Sequence, residues 1–166
     1  MKYKGLLLFL ILSLTVFSAI LLSKNGNTVR KRKSENKTEK ETKIQSGIKE
    51  NIKEIYLAGG CFWGIEAYAK KIYGVIETTA GYANGKTENT SYRELHSTDH
   101  AETVHIRYDN SIVSLDKLLT YYFSIIDPTS INRQGLDVGR QYRTGIYYVN
   151  EKDLDTIKSK IESEQH

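Results

Sequence analysis

The 166-residue chain contains one cysteine, Cys61, within the run Gly59-Gly60-Cys61-Phe62-Trp63-Gly64. A lone cysteine forms no intrachain disulfide and no cysteine-based metal site. It either packs as a small apolar residue or reacts. The neighbours favour reaction. Ile55-Tyr56-Leu57-Ala58 reads as a short strand ending at the two glycines, and Ile65, Tyr68, Ala69 and Ile72 follow at helical spacing. Cys61 is therefore expected at a strand-to-helix turn. Unpaired helix N–H groups and the positive dipole end there favour the thiolate, which is the nucleophilic form. Glycines at such a turn let a ligand approach closely. Phe62 and Trp63 would wall an apolar pocket suited to a methyl or thioether group; the bland alternative makes them core packing.

A second reactive group is Glu102. In the segment Glu102–Tyr108, period-two alternation puts Glu102, Val104, Ile106 and Tyr108 on one face and Thr103, His105 and Arg107 on the other. A carboxyl at the head of an apolar face is desolvated toward its neutral form, as a general acid requires. The bland alternative turns it to solvent. The glycine-bracketed loop Gly135–Arg143 brings Asp137 and Tyr142 to the start of a further strand. Tyr142 could donate its hydroxyl to a polar oxygen, although most such loops are plain turns.

Two other chemistries have candidate residues in the sequence. His96, Asp99, His100, Glu102 and His105 fall close together, but alternation places His105 opposite Glu102 and no HExxH spacing occurs, so no metal site is expected. A cysteine hydrolase with His100 as base has nothing in the pattern to fix its geometry.

The elements that must hold these groups follow from periodicity. Val75–Ala80 reads as a strand, Gly81–Thr90 as a loop, and Leu115, Leu118, Leu119, Tyr122 and Ile126 mark an amphipathic helix capped by Ser114 and ended before Pro128. Gly145–Val149 is a last strand, and Leu154, Ile157 and Ile161 a last helix. The order β-α-β-β-α-β-α implies an α+β fold: a two-layer sandwich, with a mixed β-sheet, a ferredoxin-like core and flanking helices.

Three segments are expected. Residues 1–23 carry Lys2 and Lys4 before an apolar run from Gly5 to Leu22, read as a signal-anchor or signal peptide. Residues 24–50 are Lys-, Glu-, Asn- and Thr-rich, read as a disordered charged tether. Residues 51–166 form the folded domain. The domain is expected to be membrane-anchored or exported, on the extracytoplasmic side. The net charge of +4 owes much to Arg30-Lys31-Arg32-Lys33. That placement suits a membrane surface rather than a nucleic-acid partner.

Gly60-Cys61-Phe62-Trp63-Gly64 resembles the motif of the A-type peptide methionine sulfoxide reductases. The likeness continues through Gly81-Tyr82, Ser91-Tyr92-Arg93-Glu94, His100-Ala101-Glu102 and Gly139-Arg140-Gln141-Tyr142-Arg143, and covers about Ile52 to Lys160. The resemblance implies roles. Cys61 would attack the sulfoxide sulfur and become a sulfenic acid. Glu102 would protonate the sulfoxide oxygen, and Tyr92 and Tyr142 would hold it. Asp137 would set substrate and water, and Phe62 and Trp63 would enclose the methyl group. It implies reduction of methionine S-sulfoxide, free or in oxidised proteins, without a bound cofactor. Many members carry further cysteines that recycle the sulfenic acid. This chain has none, so an external thiol is expected, from a thioredoxin-like partner or dithiothreitol. The family pattern also continues past the equivalent of His166. The alternative is thus a truncated, catalytically impaired fragment acting only as a tethered module.

Overall fold

The computed structural model describes residues 37–47 and 50–164. The chain divides into two compact units, Met1–Lys49 and Glu50–His166. The expected signal segment, residues 1–23, lies outside the described residues. Among those described, no helix is long and apolar enough to cross a membrane.

In the first unit, residues 37–47 form a helix, α1, where the sequence suggested an unstructured tether. The charges that argued for disorder are spaced for helix support: Lys37 pairs with Glu41 at 3.7 Å and Lys43 with Glu39 at 3.0 Å. Such i,i+4 pairs stabilise an exposed helix by a few tenths of a kcal/mol each, about 0.2–0.5.

The second unit runs β1 (Ile52–Ala58), α2 (Phe62–Ala69), β2 (Val75–Ala83), α3 (Leu95–Thr98), β3 (Ala101–Asp109), α4 (Leu115–Phe123), β4 (Arg133–Gln134), β5 (Asp137–Val138), β6 (Gly145–Tyr148) and α5 (Leu154–Ser163). Four strands form one sheet in the order β2-β3-β1-β6, and β4 and β5 form a small separate hairpin. The larger sheet is antiparallel at each pairing, not mixed. The reason is topological. β1 and β2, joined through α2, point the same way, but β3 lies between them. β3 and β6, joined through α4, are likewise separated by β1. Strands that run parallel never touch, which is the ferredoxin-like arrangement.

The core forms where two periodicities meet. Ile55 and Leu57 of β1 and Val104, Ile106 and Tyr108 of β3 point to one face. Against it pack Ile65 and Ala69 of α2, Leu118, Leu119 and Tyr122 of α4, and Ile157 of α5. Each such aliphatic side chain contributes roughly 1.5–3 kcal/mol on burial. Ser114 caps α4 by accepting the Lys117 N–H at 3.3 Å. Gly74, at φ +103°, turns the chain from α2 into β2, where a Cβ would lie 2.6 Å from Val113.

Candidate active site

Cys61 is the residue immediately before α2, in extended backbone conformation, with its carbonyl accepting the Gly64 N–H at 3.1 Å. Its turn is held on several sides. The Gly60 N–H donates to the Tyr142 carbonyl at 3.1 Å. The Ala58 carbonyl accepts the Tyr122 hydroxyl at 2.6 Å. Gly60 sits at φ +86°, and a Cβ there would lie 2.7 Å from the Gln134 Cβ. Only glycine meets both conditions. The thiol itself is half-buried.

Glu102 is 2% exposed, so it does not turn to solvent. Its Oε2 accepts the backbone N–H of Phe62 at 3.1 Å. The carboxyl therefore satisfies an orphan donor in the first turn of the helix that Cys61 opens. Burial pushes the Glu102 pKa up; the Phe62 N–H pulls back, and the negative charge of Asp137 pushes up again. The protonated acid is favoured relative to an ordinary glutamate. A neutral carboxyl accepts the Phe62 N–H through one oxygen and keeps its own O–H to give.

Cys61, Phe62, Trp63, Tyr82, Tyr92, Glu102 and Tyr142 line one open cavity of about 360 Å³. The Phe62 ring tilts against Tyr82 at 5.6 Å and Trp63 at 6.0 Å between centroids. Trp63 is 71% exposed and Tyr92 64%, so neither is core packing. Burial raises the phenols of Tyr82 and Tyr142, and Glu102 and Tyr92 push both the same way. Both therefore remain neutral O–H donors. An aromatic cleft with one thiol, one acid and several hydroxyls can enclose a small apolar group and bind a polar oxygen beside it.

Six of these wall residues are ones the sequence singles out. Asp137 is not a wall of the cavity; it stands on β5 and acts on Glu102 through its charge. Tyr82 was missed as a site residue. β2 was expected to stop at Ala80, whereas it runs to Ala83 and sets Tyr82 directly across from Glu102. A cross-strand partner shares its neighbour's face, so the longer strand would have revealed it.

The competing chemistries have no geometry. Among the described residues no three His, Cys, Asp or Glu side chains gather to hold a metal. His105 lies on the other sheet face, 2.8 Å from Glu54 and stacked on Tyr56. His100 is buried against Gly85 with its Nδ1 unpartnered, not bonded to Cys61. A larger groove of about 460 Å³ between Lys71, Tyr73, Ile112 and Tyr121 holds neither cysteine nor acid.

Comparison with known proteins bears on this geometry. A family model described as peptide methionine sulfoxide reductase matches residues 53–166. Peptide methionine sulfoxide reductase MsrA of Clostridium botulinum is 57% identical over 118 residues, covering 69% of this chain and 75% of the relative. The solved methionine sulfoxide reductase A of Corynebacterium diphtheriae superposes with a TM-score of 0.63 at 36% identity. That match covers 68% of this chain and 54% of the other, so the chain spans about half of that protein. Mxr1 from Saccharomyces cerevisiae, solved in complex with Trx2, gives a TM-score of 0.52 at 27% identity, covering 70% and 68%. The chain belongs to the A-type peptide methionine sulfoxide reductases, the oxidoreductases of methionine sulfoxide repair.

Proposed function

We propose that the chain reduces methionine S-sulfoxide, free or in oxidised proteins, with Cys61 as nucleophile and Glu102 as general acid. The observation that carries this is the Glu102–Phe62 hydrogen bond of 3.1 Å. It places a buried acid, favoured in its protonated form, at the residue next to the only thiol in the chain. A sulfoxide oxygen leaves poorly without a proton, so a thiolate and a neutral acid must work at one pH.

The substrate methyl group enters between Phe62 and Trp63, and the sulfoxide oxygen turns toward Glu102, Tyr92 and Tyr142. The Cys61 sulfur attacks the sulfoxide sulfur while the oxygen takes a proton from Glu102. The oxygen then passes to Cys61, giving methionine and a cysteine sulfenic acid. Two equivalents of an outside thiol return the sulfenic acid to the thiol, releasing water and a disulfide. The related Mxr1–Trx2 complex supports a thioredoxin-like protein as that donor; dithiothreitol would serve in solution. Asp137 acts at a distance, holding the Glu102 proton and ordering water near the substrate.

We further read residues 1–23 as the segment that exports or anchors the domain, because Lys2 and Lys4 precede an apolar run. Fractionation of cells expressing the full chain tests this; recovery in the soluble cytosolic fraction would remove the anchor.

The decisive experiment for the activity supplies separate S and R epimers of a methyl sulfoxide peptide with dithiothreitol. Loss of the S form alone is expected. Consumption of neither epimer would leave the tethered, inactive module as the correct reading.

A further inference from the structure

Arg143 is not one of the cavity's walls, yet it joins the segments that carry them. Its side chain is 15% exposed. Nη2 donates to the Asn84 carbonyl at 2.7 Å and to the Asp99 carbonyl at 3.0 Å, and Nη1 donates to the Arg140 carbonyl at 2.9 Å. These acceptors belong to three different segments. Asn84 directly follows β2, which bears Tyr82. Asp99 lies just before β3, which bears Glu102. Arg140 opens the short 3-10 turn that ends at Tyr142. The carbonyl of Tyr142, the preceding residue, takes the Gly60 N–H beside Cys61.

Asn84 and Asp99 are both left-handed, at φ +55° and +58°. Asn and Asp reach that conformation more readily than other non-glycine residues, and the bonds to Arg143 pin it here. Asp99 is also gripped by its side chain: Arg140 donates to its carboxylate at 2.6 and 2.8 Å, holding that carboxyl down to about 2. The same turn thus clamps Asp99 through backbone and side chain together.

We propose that Arg143 is a positioning residue for sulfoxide reduction. Its guanidinium fixes the left-handed turns after β2 and before β3 against the Tyr142 turn. It thereby sets the distances among Tyr82, Glu102 and Tyr142 that the reaction needs. A planar fork reaches carbonyls in several directions at once, which a lysine ammonium does not reproduce. This inference rests on the sulfoxide reductase reading.

The test uses the full chain with Arg143→Met and Arg143→Lys, and Arg107→Lys as a control on the other sheet face. Arg143→Lys keeps the charge and most of the stem, and so provides a folded variant if Arg143→Met does not fold. Four quantities are read: the thermal transition, the alkylation rate of Cys61 by iodoacetamide, the single-turnover rate on an S-sulfoxide peptide, and its pH profile. Amide exchange around Asn84 and Asp99 is followed in parallel.

For Arg143→Lys a cooperative transition and Cys61 alkylation within about two-fold of the parent are expected. Its single-turnover rate should fall by about 30- to 100-fold, the scale of a misplacement of about 1 Å at a reacting centre. The alkaline limb of the profile should shift, and the exchange of both turns should quicken. A rate that falls only in proportion to the unfolded fraction, with the profile unmoved, would overturn the inference and leave Arg143 a stabilising residue. A parent chain that reduces no sulfoxide would instead overturn the functional reading itself.

Discussion

The proposed role sets Glu102 two demands that conflict in water: it must hold a proton to give, and it must be buried without being orphaned. Desolvation favours the first and the Phe62 N–H meets the second. The pKa direction sets the signs. A carboxyl raised in the folded state keeps its proton to higher pH than an ordinary glutamate. Reduction should therefore fall as pH rises through the raised value, and Glu102's contribution to stability should be lost over the same interval. Glu102→Gln should lower turnover near neutral pH by about 10²–10⁴-fold, the usual scale of general acid catalysis. It should also abolish that alkaline limb and partly recover in acid, while the protein is no less stable in alkaline buffer. A stopped assay across pH, with melting curves on the same samples, checks both. Unchanged activity would remove Glu102 from the mechanism. Cys61 and Glu102 were legible in the sequence because each declares itself locally, by a turn and by an alternating strand. Tyr82 was not, because its place depends on a pairing register that no local pattern prints.

At the scale of elements, the strand-to-helix turn between β1 and α2 is held on several sides. Gly60 combines a left-handed φ of +86° with a Cβ position 2.7 Å from Gln134 on the β4–β5 hairpin. Gly60→Ala meets strain and crowding against the stem of the Gln134 side chain together. Relieving either moves Cys61 away from Glu102 or pushes the hairpin, with Asp137, outward. We expect a loss of stability of about 1–3 kcal/mol. The loss of turnover should be larger than the unfolded fraction explains, measured by urea denaturation beside a single-turnover assay. Activity equal to the parent would show that the turn tolerates displacement. The long elements were readable from their periods: α4 from its 3.6-residue spacing and cap, β3 from strict alternation. The short ones were not. β4 and β5 have two residues each, and α3 has four, too few to show a period. The strand order is set by contacts distant in sequence, which is why a sheet expected to be mixed proved antiparallel.

For the molecule as a whole, the governing fact is that Cys61, the proposed nucleophile, has no cysteine companion in the chain. The core, the cleft and the Arg143 ties all fall within the unit Glu50–His166. The proposed chemistry and the core therefore share one unit, but the proposed redox cycle does not close inside it. In the proposed cycle the oxygen sits on Cys61 after one attack, and no second thiol in the chain can displace it as an internal disulfide. In the absence of added thiol, the 166-residue chain should thus reduce about one equivalent of S-sulfoxide and stop. The stalled protein should carry one additional oxygen, trapped by dimedone at Cys61 and located by peptide mass mapping. Adding dithiothreitol or a thioredoxin with its reductase should restart turnover. Cys61→Ser should show neither the first equivalent nor the adduct. Repeated turnover without any thiol, or an adduct elsewhere, would place the redox chemistry on a different atom. Trp63 and Tyr92 stand exposed at the mouth of the cleft, so the stalled sulfur remains open to attack from solvent. The same openness that admits a sulfoxide side chain of a protein substrate admits the reductant, and the two must take turns at Cys61. Steady-state rates should accordingly show each competing with the other at high concentration: excess oxidised peptide should slow recycling by the thioredoxin-like donor, whereas dithiothreitol, small enough to pass a bound peptide, should be much less affected.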